Sequence, residues 1–299
     1  MTAPLRRFPA PGGGFGGRDA PLAPHTSLRI GGPADYFVRA GTEDDLRGAI
    51  RVARQAELPI FLLGGGTNVL VSDRGVRGVV LQNKWSEVRV NGSVVEASSG
   101  TPLAHVAAVA ARAGLLGLEW MATVPGTVGG AVHGNAGAFG KDTAADVIDV
   151  ELIDLNAHVW RAPADELGFA YRTSVLQGTP TIVVRARFQG TPGDRAEAVR
   201  RIKEMANERV AKQPLAQPNT GSIFRNPPGD HAGWLIEAAG LKGARQGGAM
   251  VSPKHANFIV NADHASAADV RALMNRCQEE VMRQFGVQLR PEVELVGEW

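Results

Sequence analysis

Two glycine-rich segments restrict the fold of this chain more than any other feature of its sequence. The first, Gly64 to Asn68, directly follows the apolar run Pro59 to Leu63, which we expect to be a strand. The second runs from Pro125 to Gly140. Glycine leaves little side-chain bulk, and a run of unhindered N–H groups is a common way to hold a pyrophosphate. A turn explains any single glycine, but two clusters together favour a bound dinucleotide.

The spacing of these glycines matches neither of the common nucleotide-binding loops. The first segment lacks the Lys-Ser/Thr ending of a P-loop, and neither segment has the dinucleotide fingerprint with its later acidic residue. Residues 9–17, PAPGGGFGG, do have glycines at the fingerprint spacing, but Pro and Gly precede them where a strand is required. We therefore expect residues 1–22 to be a disordered tail and not a cofactor site.

The charge of the chain argues against large anionic partners. Its 299 residues include 32 Lys and Arg and 30 Asp and Glu, so the net charge is only +2. A balance this close produces no field that would hold nucleic acid or an anionic membrane without specific contacts. We expect a small-molecule substrate, no nucleic acid or membrane partner, no metal, and a monomer.

The most apolar stretch, Leu103 to Leu118, predicts a buried helix. His105 and Arg112 interrupt it, and it falls short of the roughly 20 apolar residues that a bilayer-spanning helix needs. The single cysteine, Cys277, cannot form an internal disulfide, and no cationic and apolar leader is visible at the start. These features are typical of a cytoplasmic protein.

Capping and turn residues predict further elements. These are a helix capped by Thr42 and Asp45, a hairpin on Asn91-Gly92, an alternating strand from His255 to Val260, and a helix that Ser266 and Asp269 cap and Gly286 ends. Cys277 lies on the apolar stripe of the last helix, so we expect it to be a core residue and not a nucleophile.

A turn at Pro192-Gly193-Asp194 marks the expected domain boundary. The chain then divides into the tail at 1–22, a domain at 23–192 in two parts (about 23–83 and 84–192), and a C-terminal domain at 193–299.

Three polar positions in the second half stand in apolar or proline-rich surroundings. They are Tyr171-Arg172, Ser222 within NTGSIFRNP, and Glu292 within RPEVEL. Each has an ordinary explanation too: an arginine after a tyrosine is usually a surface anchor, a serine after Thr-Gly is usually a cap, and a glutamate in an alternating strand is usually solvated. Taken singly, the residues leave both explanations open.

Taken together, these segments resemble the UDP-N-acetylenolpyruvoylglucosamine reductase family. The resemblance covers nearly everything after residue 24. It is carried by HTSLRIGGPADYF, LLGGGTNVLVSD, GLEWMATVPGTVGGAVHGNAGAFG, YRTSVL, NTGSIFRNP, AGWLIEAAGLKG, VSPKHANFIVN and PEVELVGEW. The chain is similar to the shorter subtype, because it has no room for the inserted loop and its tyrosine that cover the substrate in the longer one.

The resemblance implies an α+β fold and an FAD cofactor. The fold has a two-part FAD-binding region of the vanillyl-alcohol-oxidase type and a C-terminal α/β substrate domain. Two stretches are implied to lie along the FAD pyrophosphate, and a third lies closer to the flavin. The implied cofactor residues are Gly64, Gly65, Gly66, Thr67, Asn68, Val69, Pro125, Gly126, Thr127, Gly129 and Gly130 for the pyrophosphate, and Asn135, Ala136 and Gly137 near the flavin. Because these are main-chain contacts, we expect alanine to be tolerated except where φ is positive.

The same resemblance implies that Arg172, Ser222 and Glu292 are catalytic. In the family, NADPH reduces the flavin, which passes hydride to the enolpyruvyl group of UDP-N-acetylglucosamine enolpyruvate and leaves an enolate. Arg172 can pair with the substrate carboxylate, Glu292 can donate a hydrogen bond as a neutral acid, and Ser222 can give the proton to the adjacent carbon.

The implied substrate residues are Tyr171, Lys212, Asn226 and His255. Lys212 is the candidate for the UDP phosphates, and His255 is equally well explained as a core histidine. The chain departs from the family at Arg225, where lysine is usual. Because the charge is kept, we expect little effect.

Two other functions are compatible with parts of the sequence. A flavin oxidase of the same fold would pass electrons to oxygen, but the Ser222 segment argues against it. A regulatory nucleotide-binding module would need no arginine, serine and glutamate on three separate segments.

Overall fold

The computed structural model describes residues 15–299, so most of the glycine run at 9–17 lies outside the described residues. The chain forms two compact units. The first unit contains Ala34–Gly65 and Gly78–Met205 together with residues 15–20, and the second contains Pro21–Pro33, Gly66–Arg77 and Ala206–Trp299. The division into domains at 192 stays a prediction.

The elements follow one another in mixed order. The strands are β1 (Phe15–Pro21), β2 (Pro33–Ala40), β3 (Ile60–Leu63), β4 (Val69–Val71), β5 (Val76–Asn83), β6 (Val88–Asn91), β7 (Val94–Ser98), β8 (Leu115–Leu116), β9 (Gly137–Ala138), β10 (Lys141–Asp142), β11 (Val147–Ile153), β12 (Val159–Pro163), β13 (Ile182–Gln189), β14 (Thr191–Pro192), β15 (Arg245–Gln246), β16 (Ala249–Val251), β17 (Ile259–Asn261) and β18 (Glu294–Val296). The helices are α1 (Glu43–Gln55), α2 (Leu103–Arg112), α3 (Val128–Gly134), α4 (Thr143–Asp146), α5 (Arg195–Lys212), α6 (Ala232–Ala238) and α7 (Ala267–Phe285).

The first unit contains two main sheets. One has the strand order β1-β2-β5-β3, with β3 and β5 parallel. Helix α1 covers this sheet with Leu46 and Ile50, and the predicted capping box of Thr42 and Asp45 is confirmed. The other sheet is antiparallel, in the order β12-β11-β13-β7-β6. Its β6-β7 hairpin turns as predicted, with Gly92 at φ 59°.

The segment at the start of the first unit corrects one prediction. Phe15–Pro21 was expected to belong to a disordered tail, but it forms β1 at the edge of the first sheet beside β2. An edge strand is held by main-chain hydrogen bonds along one side, so it needs no apolar pattern that could be recognised in the sequence.

The second unit is built around α7 and a small antiparallel sheet, β15-β16-β17. The predicted capping box of Ser266 and Asp269 is present, and Gly286 ends the helix at φ 69°. Strand β18 pairs in parallel with β4. The core of the unit includes Phe224, Leu273 and Cys277.

The strand predicted from His255 to Val260 is wrong over its first half. Only Ile259–Asn261 forms β17. The preceding residues make a turn, because the N–H of Phe258 bonds to the carbonyl of His255 and the N–H of Asn257 bonds to Nδ1 of the His255 ring. These local bonds outcompete the extended ladder that the alternation of apolar residues predicts.

Helix α2 occupies the first part of the apolar stretch and buries Leu103, Val106 and Ala110, as predicted. Within residues 15–299, no helix combines the length and apolar character needed to cross a bilayer.

The thiol of Cys277 gives a test of the second unit. The residue is 1% exposed, and burial raises the pKa of its thiol to about 12. At about pH 8 almost no thiolate forms, and the thiolate is the reacting species. We expect no reaction with a disulfide reagent in the native protein and one rapid equivalent after unfolding in urea. Rapid labelling of the native chain would contradict the buried position.

Candidate active site

The two glycine segments meet in the first unit. Gly64 follows the end of β3, and a Cβ added to it would lie 2.6 Å from Oγ1 of Thr127, which precedes α3. Thr127 is 7% exposed, so its side chain has little room to move. Glycine is needed at 64 because the two segments are packed against each other.

The second glycine segment is helical over nearly half its length. Helix α3 covers Val128–Gly134. The N–H of Gly129 bonds to the carbonyl of Ser99 at 2.8 Å, and a Cβ at Gly129 would lie 3.0 Å from the Ser99 Cβ. The glycine therefore lets the helix lie directly on the main chain that follows β7.

A glycine is required where protein atoms occupy the position of a Cβ, and not only where φ is positive. A Cβ at Gly137 would lie 2.3 Å from the carbonyl oxygen of Lys141, although its φ is not positive. By contrast, a Cβ at Gly130 would find its nearest atom at 3.8 Å, and one at Gly134 would find nothing within 4 Å. The expectation that alanine is tolerated wherever φ is negative is therefore wrong for Gly137 and also for Gly64.

The open glycine positions fit a phosphate-bearing cofactor. Gly130 and Gly134 lie one turn apart on α3 and are not filled by protein atoms. Among the described residues, no acceptor is found for the N–H groups of Gly65 and Gly66. Main chain without side-chain cover and with available N–H groups is the donor set that a pyrophosphate needs.

Arg172 is held at the end of the second glycine segment. Its guanidinium donates to the carbonyl of Asn135 at 3.4 Å and to that of Gly137 at 2.8 Å. Its main chain is left-handed, with φ 57°, and its Cζ lies 5.2 Å from the centre of the Tyr171 ring. The predicted catalytic arginine thus contacts the segment that was predicted to lie near the flavin.

The side chain of Asn135 connects the end of α3 to the segment before Arg172. Its amide nitrogen donates to the carbonyl of Ala170 and to Asp142, and its amide oxygen accepts from the N–H of Ala144. The residue is 1% exposed. The side chain is therefore part of the scaffold, and the cofactor role predicted for Asn135 stays a prediction.

Ser222 and Glu292 lie on neighbouring extended segments of the second unit. The N–H of Glu292 bonds to the carbonyl of Ile223 at 2.8 Å, and Phe224 forms an antiparallel bridge with Pro291. Both Ser222 and Glu292 are half-buried. Tertiary structure thus pairs the main-chain segments of two residues that sequence reasoning could select only one at a time.

The side chain of Asn68 binds the main chain of Glu292, a contact that the sequence did not reveal. Its side-chain amide donates to the carbonyl of Glu292 at 3.1 Å, and its own carbonyl accepts from the N–H of Glu294 at 3.0 Å. Within the second unit, Asn68 therefore holds the Glu292 segment next to the pairing of β4 with β18. The cofactor role predicted for Asn68 stays a prediction.

The predicted substrate residues have diverse surroundings. Lys212 is exposed at the end of α5 and pairs with Glu208 at 2.6 Å, a pair that contributes little on the surface. Asn226 accepts from the N–H of Ala232 at the start of α6. Tyr171 is 52% exposed.

His255 is held inside the second unit. Its ring lies 4.8 Å from that of Phe258, and its Nδ1 accepts a hydrogen bond. Burial, and secondarily the charge of Lys242, lowers the pKa of His255, so the ring is neutral at neutral pH. These contacts favour the structural explanation of this histidine.

Comparison with known proteins supports this arrangement. The model of the UDP-N-acetylenolpyruvoylglucosamine reductase C-terminal domain matches residues 213–296, and that of an FAD binding domain matches residues 34–162. UDP-N-acetylenolpyruvoylglucosamine reductase 2 of Symbiobacterium thermophilum is 47% identical over 282 residues, which are 94% of this chain and 92% of the relative. The chain belongs to the UDP-N-acetylenolpyruvoylglucosamine reductase family.

Two further members of the reductase family match nearly the whole of this chain. The reductase of Caldanaerobacter subterraneus is 43% identical over 279 residues, which cover 93% of this chain and 92% of the relative. The crystal structure of the Thermus caldophilus reductase matches with a TM-score of 0.80 and 35% identity, over 93% of this chain and 97% of that one. The α+β fold, the FAD-dependent reductase class and the resemblance to this family are confirmed.

Two alanine substitutions separate protein packing from cofactor contact. Gly137→Ala places a methyl group against the Lys141 carbonyl and should destabilise the apoprotein by roughly 1–3 kcal/mol. Gly130→Ala has room and improves helix propensity, so the apoprotein should be as stable as wild type or more so. If FAD lies against Gly130, its affinity nevertheless falls.

The measurements are thermal unfolding of the two apoproteins and titration with FAD by flavin fluorescence. The thermal stability of the Gly130→Ala apoprotein is the control for damage to α3: if it equals or exceeds that of wild type, a fall in affinity belongs to the cofactor contact. Unchanged FAD affinity in Gly130→Ala would remove Gly130 from the cofactor site.

Proposed function

We propose that this chain uses NADPH and FAD to reduce UDP-N-acetylglucosamine enolpyruvate to UDP-N-acetylmuramate, a step in peptidoglycan precursor synthesis. The observation that carries the proposal is the pairing of the Ser222 and Glu292 segments through the Ile223 carbonyl. Membership of the reductase family and the match to an FAD binding domain support it. Bound FAD supplies a hydride carrier between NADPH and the double bond.

Arg172 is proposed to hold the carboxylate of the substrate. A guanidinium offers its N–H donors in one plane, and that of Arg172 donates to the carbonyls of Asn135 and Gly137. These two bonds fix the orientation of the plane. An arginine with a fixed plane pairs with a carboxylate at little entropic cost and stabilises the negative charge that develops there.

Ser222 and Glu292 are proposed to complete the reaction. After the methylene carbon accepts a hydride, the adjacent carbon must accept a proton, and the Ser222 hydroxyl donates it. A hydroxyl is a weak acid, so its distance and direction to the enolate carbon must be well defined. Glu292 as a neutral acid donates a hydrogen bond to the developing enolate. Their shared main-chain pairing supplies the required order.

The proposal also gives roles to the predicted cofactor and substrate residues. The main chain of Gly64 to Val69 and of Pro125 to Gly130 would hold the pyrophosphate, with Asn135 to Gly137 nearer the flavin. Lys212 would meet the UDP phosphates, and Tyr171 and Asn226 would contact the substrate. His255 is a weaker candidate, given its internal contacts.

We also propose that the chain acts as a monomer in the cytoplasm, without nucleic acid. The near-neutral net charge supports this proposal, as does the metabolism of NADPH and nucleotide sugars in that compartment.

The proposal predicts a yellow protein with a strict dependence on substrate. NADPH should be oxidised only when UDP-N-acetylglucosamine enolpyruvate is present, with UDP-N-acetylmuramate as product. The measurement is NADPH absorbance together with oxygen uptake. Rapid NADPH and oxygen consumption without the enolpyruvyl substrate would favour the flavin oxidase instead.

Substitution of Ser222 separates the two half-reactions. Ser222→Ala should leave reduction of the flavin by NADPH intact and slow its reoxidation by substrate roughly 100-fold or more, the usual contribution of a general acid. Rapid mixing without oxygen measures both rates. Ser266→Ala, which removes a capping hydroxyl of α7 in the same unit, controls for lost stability. Equal slowing of both half-reactions in Ser222→Ala would exclude the proton-donor role.

A further inference from the structure

The side chain of Asn257 binds both polar groups of one residue close to Ser222. Its amide nitrogen donates to the carbonyl of Phe224 at 2.8 Å, and its amide oxygen accepts from the N–H of Phe224 at 3.0 Å. Its own carbonyl accepts from the N–H of Ile223 at 2.9 Å. Asn257 is 3% exposed, so water does not compete for these bonds.

These contacts take the place of a neighbouring strand along one edge of the Ser222 segment. On the other edge of the Ser222 segment, the carbonyl of Ile223 accepts from Glu292, and the N–H of Arg225 bonds to the carbonyl of Arg290. Asn257 lies in the turn before β17 and has no extended main chain to offer on this edge. Its carboxamide presents a donor and an acceptor in the spacing of a peptide group and so closes the ladder.

The backbone of Asn257 is itself fixed. Its N–H donates to Nδ1 of His255 at 3.2 Å, and the N–H of Phe258 closes the same turn onto the His255 carbonyl. We call the two bonds from the Asn257 side chain to Phe224 the clamp. The clamp is therefore anchored in the turn that takes the place of the strand predicted from His255 to Val260.

We propose that Asn257 is a positioning residue for Ser222. It contacts neither substrate nor cofactor, and it acts by holding the main chain of Ile223 and Phe224, which sets the direction of the Ser222 hydroxyl. The inference rests on the proposed function of Ser222. Without the carboxamide, two main-chain groups of Phe224, a residue that is 1% exposed, lose their partners, and the segment shifts to satisfy them.

The test uses the holoenzyme with Asn257→Ala and a matched control. Asn261 lies in the same unit, and its side chain also makes two main-chain bonds, to Leu28 and Ala265. We expect Asn257→Ala to reduce the flavin with NADPH at the wild-type rate but to slow reoxidation by substrate roughly 100-fold, because an ångström of misplacement costs about that much. Asn261→Ala should lose stability without this split.

Two further readouts distinguish positioning from general loosening. In the double variant Asn257→Ala with Ser222→Ala, reoxidation should be no slower than with Ser222→Ala alone, since Asn257 acts through Ser222. Amide hydrogen exchange at Phe224 should speed up in Asn257→Ala and stay unchanged in Asn261→Ala. Multiplicative losses in the double variant, or unchanged exchange at Phe224, would overturn the inference.

A second variant tests the inference if Asn257→Ala does not fold. Asn257→Asp has the same shape, keeps the acceptor for the Phe224 N–H and loses the donor to its carbonyl, so it should show the same selective slowing. Wild-type reoxidation in this variant would reject the clamp. Rapid reoxidation in Ser222→Ala alone would instead reject the proposed function, which separates the two failures.

Discussion

The hydrogen bond from the N–H of Glu292 to the carbonyl of Ile223 is the contact on which the proposed chemistry of the second unit depends. It joins two segments far apart along the chain and sets Ser222 and Glu292 on adjacent extended stretches. A main-chain bond of this kind is insensitive to side-chain identity, so it can hold a register whichever side chains the two segments carry. The side chains of Asn257 on one edge and Asn68 next to Glu292 extend this pairing.

Asparagine side chains have a common role in the irregular segments of this molecule. Asn135 fastens the end of α3 to the loop before Arg172, and Asn219 accepts from the N–H of Gly221 while donating to the carbonyls of Pro214 and Gln217. Segments outside helices and strands still contain main-chain donors and acceptors that must be satisfied. A carboxamide meets both needs at once, which is why these loops can be irregular and well defined.

The glycine segments combine two physical roles that look the same in sequence. Gly64 and Gly137 are glycine because neighbouring protein atoms occupy the space of a Cβ, whereas Gly130 and Gly134 face open space. Only at the second kind does the missing side chain leave space that a ligand could fill. This distinction needs interatomic distances, so counting glycines could indicate a cradle but could not say which residues form it.

The sequence alone determined the elements whose signals are local. The caps of α1 and α7, the Asn91-Gly92 hairpin and the apolar face of α7 depend on residues within a few positions of one another, and each was predicted correctly. Resemblance added the family and its cofactor. Tertiary structure alone decided that Phe15–Pro21 pairs as a strand, that half of the second glycine segment is helical, and that Asn257 holds Phe224. These outcomes depend on hydrogen bonds and close contacts between residues distant in sequence, and no local pattern specifies which partners will meet.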